Sequence, residues 1–241
     1  MNILTIAGAP SAGKTAVITH ICRILKEKGE KTAAAKFDAL STTDHLHYQK
    51  ELGMDAVTGL SDYTCPDHYY VSNLEEVISW GKRIGSDHLF IETAGLCYRC
   101  APHIKGIPAL TIIDNLGGLD TPSKMGPMLE TADVVALTKV DMVSQAEKEV
   151  FIHRIKAVSP KAEIVSVNGL TGTGVARLLR ILQTHTQKTE ITGSRLRYPM
   201  PAAICSYCTG EQRIGQAFQS GNIQKIILPV SKEASHVFPS N

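Results

Sequence analysis

Eight residues near the amino terminus, Gly8-Ala9-Pro10-Ser11-Ala12-Gly13-Lys14-Thr15, constrain this chain more than any other stretch. They satisfy G-x-x-x-x-G-K-[ST] without a mismatch, and their setting gives the pattern meaning. The apolar run 2–7 before them reads as a strand. The stretch 14–28 after them reads as an amphipathic helix, with apolar positions at Ala16, Ile18, Ile21, Ile24 and Leu25. A glycine-rich turn in that place lets backbone N–H groups curl round phosphate oxygens, and the helix N-terminus adds partial positive charge. Gly8 through Ala16 are then the cradle, Lys14 reaches the β- and γ-phosphates, and the Thr15 hydroxyl ligates Mg²⁺. The bland alternative is a chance glycine-rich turn, and the flanking elements weigh against it.

The rest of the chain supplies what such a loop needs. Apolar runs at 31–36, 87–92, 109–114, 133–138 and 163–167 read as strands, and 73–84, 121–131, 144–158 and 174–187 as helices. Strands buried on both faces and separated by helices predict an α/β fold, a three-layer, mostly parallel sheet. An apolar share of 43% is ample for its core. The pattern breaks into polar, turn-prone sequence at 188–200, a linker between a nucleotide domain at 1–187 and a small cysteine-bearing segment at 201–241. That segment has too little apolar sequence for a core of its own, so it should pack on the main domain or be organised by a metal.

A net charge of +2 gives no electrostatic case for nucleic acid or a membrane surface as partner. No apolar run approaches the ~18–20 residues that span a bilayer. The opening MNILTIAGAP has neither a cationic region nor a long apolar stretch. A cytoplasmic protein is the expectation, with its thiols reduced.

Base choice is expected from Thr138-Lys139-Val140-Asp141, directly after the apolar run DVVAL. The Asp141 carboxylate can accept from guanine N1–H and the exocyclic amine, a pair of donors adenine lacks, while the Lys139 stem lies along the base. Asn168-Gly169-Leu170 follows another strand and can place backbone N–H groups near the guanine carbonyl. Two acids are candidates for positioning Mg²⁺ and the attacking water: Asp38, in a switch-like segment, and Glu92, which ends a strand at the edge where ligands of such folds bind. The alternative for each is a cap or a surface salt bridge.

Six cysteines remain to be explained. Cys22, on the apolar side of the first helix, reads as core. Cys97-Tyr98-Arg99-Cys100, with His103 beyond it, and Cys205-Ser206-Tyr207-Cys208 are two C-x-x-C pairs, enough for a Cys₄ zinc site or an iron–sulfur cluster. Cys65-Pro66-Asp67-His68 is a further candidate. The two pairs can share one ion or act across a dimer.

In order, GAPSAGKT, the Asp38 segment with Thr42-Thr43-Asp44, the stretch from Thr58 to His68, FIETAG and DNLGGLDTPSKMGPMLETADVVALTKVD resemble the HypB and UreG nickel-insertion GTPases, of the SIMIBI class of P-loop NTPases, over about residues 1–187. The last stretch looks especially like UreG. The resemblance implies a metallochaperone that couples GTP binding and hydrolysis to metal delivery into a client enzyme, through a nucleotide-dependent homodimer. It makes Cys65 and His68 the nickel or zinc ligands, with Asp67 inserted between Pro and His, and matches Cys97 or Cys100 approximately to a further family cysteine. The second C-x-x-C has no counterpart there, and it points to a cargo other than nickel, an iron–sulfur centre among them. Thr138 stands where Asn is usual. MinD-like ATPases carry a lysine where this chain has Ala9. Two other readings stand beside this one: a P-loop kinase acting on a small molecule or cofactor, and an iron–sulfur redox protein with a nucleotide switch.

Overall fold

The computed structural model describes residues 1–62, 64–94, 101–185, 191–198, 213–218 and 224–229. Seven strands form one sheet in the order β3-β2-β4-β1-β5-β6-β7. They are β1 (Asn2–Gly8), β2 (Thr32–Asp38), β3 (Asp55–Leu60), β4 (His88–Thr93), β5 (Ala109–Asp114), β6 (Val134–Thr138) and β7 (Glu163–Ser166). Every pairing is parallel. Parallel neighbours need crossovers, and helices supply them. They are α1 (Lys14–Glu27), α2 (Asp44–Leu52), α3 (Pro66–Arg83), α4 (Thr121–Met125), α5 (Pro127–Glu130), α6 (Gln145–Val158) and α7 (Val175–Thr184).

Alternation along the strands splits the core between two faces. Leu4, Ile6, Ala34, Leu110, Ile112 and Ala136 bury against α1, α2 and α7. Ile3, Ala35, Phe37, Leu89 and Ile91 face α3, and Ala7, Ile113, Val135 and Leu137 face α4 to α6. This is the three-layer arrangement expected from the apolar runs.

Several boundaries differ from the sequence reading. The helix expected at 73–84 starts at Pro66, because a proline at the first helical position is preset for the turn and Cys65 stands as its N-cap. The helix expected at 121–131 is two short ones, broken at Gly126 (φ 46°) and restarted by Pro127. Helix α6 begins one residue after Ser144, which caps it in a reciprocal box with Glu147. Neither α2 nor β3 was expected.

The stretch read as a linker is, where described, packed onto the domain. Leu196 bridges Ile104, and Arg195 bridges Arg213. Ile191, Leu196, Ile214 and Ile226 are buried in the α3 core. Asn73 of α3 grips the 224–226 segment from both sides, donating to Gln224 O (3.1 Å) and accepting from Ile226 N (2.9 Å). Ile226 reaches Gly59 of the edge strand so closely that a Cβ there would stand 3.0 Å from its methyl.

Candidate functional site

The phosphate loop lies at the carboxyl end of β1, the strand from which the sheet extends in both directions and the usual ligand crevice of such sheets. Its shape depends on two glycines. Gly8 has φ 150°, and a Cβ there would meet Ile112 O of β5 at 2.2 Å, so only glycine fits. Gly13, at φ 91°, precedes α1 without a side-chain cap, leaving the first-turn amides of that helix to a ligand. Ser11 is left-handed as well (φ 60°). Lys14 folds back over the loop and donates to Gly8 O (3.0 Å) and Ala9 O (2.9 Å). Burial pushes its pKa down to about 8, against the opposing pull of Glu92.

Thr138 joins the two halves of the site. Its hydroxyl donates to Ala12 O at 2.7 Å, tying the end of β6 to the phosphate loop. Lys139 takes a left-handed turn (φ 56°), pairs with Asp114 (3.3 Å) and leads into a 3₁₀ turn, Val140–Met142, that carries the exposed Asp141. Asn168 shapes the loop after β7 by accepting from Leu170 N (2.8 Å) and Thr171 N (3.0 Å). Gly169 lies over Ala16, where a Cβ would be 3.4 Å away, and His20 bonds its carbonyl. Leu170 is left 90% exposed. Gly8 through Ala16, Thr138 to Asp141 and Asn168 to Leu170 therefore come from three separate stretches to one edge of the sheet.

The acids are arranged differently from the sequence expectation. Asp38 turns its carboxylate to its own neighbour, accepting from Ala39 N (2.8 Å). Glu92 is 1% exposed, with both oxygens engaged: Lys36 donates to one (2.5 Å) and the Tyr48 hydroxyl to the other (2.9 Å). Asp44, the first residue of α2, is the acid that reaches the phosphate loop. Burial alone would raise its pKa, but bonds from Lys36, Thr15 and Thr42 hold it below the usual carboxylate value. Lys36 sits 2.9 Å from Asp44, and its own charge, opposed by burial, is sustained by Glu92 and Asp44. Asp44, Lys36 and Tyr48 were missed as site residues, although the Thr-Thr-Asp signature was visible.

Hard oxygen donors gathered beside an uncapped helix start fit Mg²⁺ and a phosphate chain. Thr15, Asp44 and Asp38 are the residues that would hold the ion.

The thiols are only partly accounted for. Cys22 is buried, its pKa pushed up to about 12, a core residue as expected. Cys65 is half-buried at the start of α3, and His68 is buried in its first turn. Among the described residues, no three Cys, His, Asp or Glu side chains are grouped to hold a metal ion. Cys97, Cys100, Cys205 and Cys208 lie outside the described residues. His103 is no ligand. It is wholly buried between Thr5 and Thr111, 3.0 Å from each hydroxyl, with burial pushing its pKa down to about 3. No described helix is long and apolar enough to cross a membrane.

Residues 2–166 match the model of the "CobW/HypB/UreG, nucleotide-binding domain" family. A Methanocaldococcus jannaschii protein described only as uncharacterized is 41% identical over 226 residues, covering 94% of this chain and 96% of that one. The urease accessory protein UreG of Photorhabdus laumondii is 28% identical over 191 residues, covering 73% of this chain and 90% of its own. Among solved structures, the hydrogenase maturation factor HypB from Archaeoglobus fulgidus superposes with a TM-score of 0.60 at 21% identity, covering 76% of this chain and 89% of that one. HypB from Helicobacter pylori, in complex with nickel, does so with 0.62 at 20%, covering 79% and 91%. Both superpositions reproduce the fold. A phosphate loop tied to the end of β6 on this sheet, the family match and the relatives agree: the chain belongs to the CobW/HypB/UreG family, as a P-loop protein of the HypB/UreG type.

Proposed function

We propose that this protein binds and hydrolyses GTP and couples its nucleotide state to delivery of a metal ion or metal centre into a client enzyme. The observation that carries this reading is the Thr138–Ala12 bond, which ties the proposed base loop to the phosphate loop. Lys14 and the first-turn amides of α1 hold the phosphates, Thr15 with Asp44 and Asp38 holds Mg²⁺, and Asp141 reads guanine. Bound Mg²⁺ would neutralise charge developing on the phosphate oxygens. Glu92 acts through Lys36 and Tyr48, which fix its carboxylate. Positioning and charge stabilisation are all such a site offers, so intrinsic turnover should be slow until a partner completes it.

The cargo is read from relatives: UreG is a urease accessory protein and the Helicobacter HypB structure holds nickel. Nickel or a zinc-like ion is the first candidate here. Cys65 and His68 are its proposed ligands, together with the pairs Cys97/Cys100 and Cys205/Cys208, which leave an iron–sulfur centre as the other candidate. A nucleotide-dependent homodimer is supported by exposed Leu40, Leu46, Leu116 and Leu119 near the carboxyl edge of the sheet.

Calorimetry with Mg²⁺ and GTP, GDP or ATP tests the reading. GTP and GDP should bind and ATP should not. Asp141→Asn should lower GTP affinity by roughly 10–100-fold, through loss of a charged acceptor, while xanthosine nucleotides gain. Unchanged GTP affinity would remove Asp141 from the base site. Nickel and zinc affinities should differ between protein loaded with a non-hydrolysable GTP analogue and with GDP, since only a difference can couple the sites. Equal affinities would end the coupling.

A pH effect also follows from Lys14. Its ammonium titrates near about 8 in the free protein, and a triphosphate would raise that value. Above pH 8 binding must therefore draw a proton from buffer, and affinity should fall as pH rises. Binding heats that do not vary with buffer ionisation enthalpy at pH 8.5 would contradict this.

A further inference from the structure

Lys36 is an uncommon residue for its place. It lies inside β2, between β3 and β4, and is only 5% exposed. A lysine there could be expected to lose its proton. Instead its ammonium sits between two carboxylates, 2.5 Å from Glu92 Oε1 on β4 and 2.9 Å from Asp44 Oδ2 on α2. Each acid is further fixed. Tyr48 donates to the second oxygen of Glu92, and Thr15 and Thr42 hydrogen-bond Asp44. Lys14 lies within electrostatic reach of Lys36, Glu92 and Asp44, and Asp38 within reach of Lys14.

Taken together, the ammonium is surrounded by what a divalent cation beside a phosphate chain requires: an acid at a strand end, an acid at the start of the neighbouring helix, and the hydroxyl of the phosphate-loop threonine on that second acid. Resting on the reading of this edge as a Mg²⁺–nucleotide site, we propose that Lys36 is a built-in stand-in for the divalent ion. In the nucleotide-free protein its ammonium holds Asp44, and with it α2, against the phosphate loop. On nucleotide loading it gives up Asp44 and keeps Glu92. An ammonium and a divalent ion on one carboxylate would stand a few ångströms apart and repel, so Asp44 serves one or the other. Loading of the ion onto Asp44 is then an exchange of cations, and free Mg²⁺ alone cannot bring it about.

The test uses Mn²⁺ as probe, titrated into full-length, nucleotide-free protein and followed by electron paramagnetic resonance. Wild type and Lys36→Arg, which retains a cation, should bind Mn²⁺ weakly. Lys36→Met should bind it at least about tenfold more tightly, with the repulsion gone. Folding of Lys36→Met is checked by the fluorescence of Trp80, buried in the α3 core. Wild-type affinity in folded Lys36→Met, or tight binding in Lys36→Arg, overturns the proposal. If Lys36→Met does not fold, the side-chain ammonium resonance of Lys36 in wild-type protein decides. It should shift on saturation with Mg²⁺ and a non-hydrolysable GTP analogue and stay in place when EDTA accompanies the analogue. An unmoved resonance at saturation overturns the exchange. Failure of the analogue to bind at all, seen by calorimetry, would remove the nucleotide reading, and the Mn²⁺ titration would still report on Lys36.

Discussion

Lys14→Ala is expected to lose GTP hydrolysis by roughly 10²–10³-fold or more, the cost of removing one preorganised donor to developing phosphate charge, without loss of fold. Both halves of that result follow from one geometry. Lys14 is 6% exposed, and its ammonium is held by Gly8 O and Ala9 O. Its folded pKa of about 8 lies below the ordinary 10.5 because burial disfavours the charge. The sign is therefore a cost to the free protein below pH 8, relieved as pH climbs from about 8 toward 10.5. Alanine removes that cost together with two hydrogen bonds, so the melting temperature should be unchanged or raised while nucleotide affinity falls. Calorimetry and a thermal melt on one preparation separate the outcomes. A melting temperature that falls along with affinity would make Lys14 a structural residue first.

The largest expected effect on stability belongs to Arg197, far from the nucleotide edge. All five of its N–H donors are used. They reach Ile104 O (3.1 Å), Thr131 O (2.9 Å), Ile107 O (2.7 Å) and both oxygens of Asp133 (2.7 and 2.6 Å). Arg197→Met leaves a half-buried carboxylate and three carbonyls without these donors, and should cost about 3–5 kcal/mol, a fall of roughly 10 °C in a chain of this length. Burial works to raise the Asp133 pKa, and Arg197 carries it below the usual value. The stabilisation is thus present above the ordinary carboxylate pKa and is lost as pH falls through the folded one. Wild type and variant should differ most near pH 7 and converge below pH 4. Melts at pH 7 and pH 3 test this, and an equal gap at both would assign the effect to packing alone.

How much could be read from residues alone depended on whether burial was written in apolar side chains. β1, β5 and β6 are continuous apolar runs, and α6 announces itself through Ser144 and Glu147, so these elements were legible. α2 was not: Asp-His-Leu-His-Tyr-Gln-Lys-Glu-Leu buries only Tyr48 and Leu52, too few for a helical stripe. β3 is a short edge strand with Gly59 inside it. The packed C-terminal pieces depend on isolated isoleucines, each anchored by a distant partner such as Asn73 that no local pattern reveals. At the site, the phosphate loop and the Thr138–Asp141 stretch are local motifs, readable one residue after another. Lys36 was not, since a lysine in a strand reads as solvent-facing until its two carboxylates are seen. Asp44 was visible only as part of the Thr-Thr-Asp signature, and tertiary packing brings it to Thr15.

The all-parallel order of the sheet bears on how the molecule comes into being. The loop at residues 8–15 is made well before the strands that support it: β1 pairs with β4 and β5, and the bend at Gly8 is pressed against Ile112. Residues separated by about a hundred positions must meet before that bend has a wall to lean on, and such distant pairings close slowly. A nascent chain that has not yet reached β5, which ends at Asp114, therefore carries the signature of a nucleotide site without the means to form one. During synthesis the apolar strand β1 waits unpaired, a hydrophobic segment for chaperones to shield.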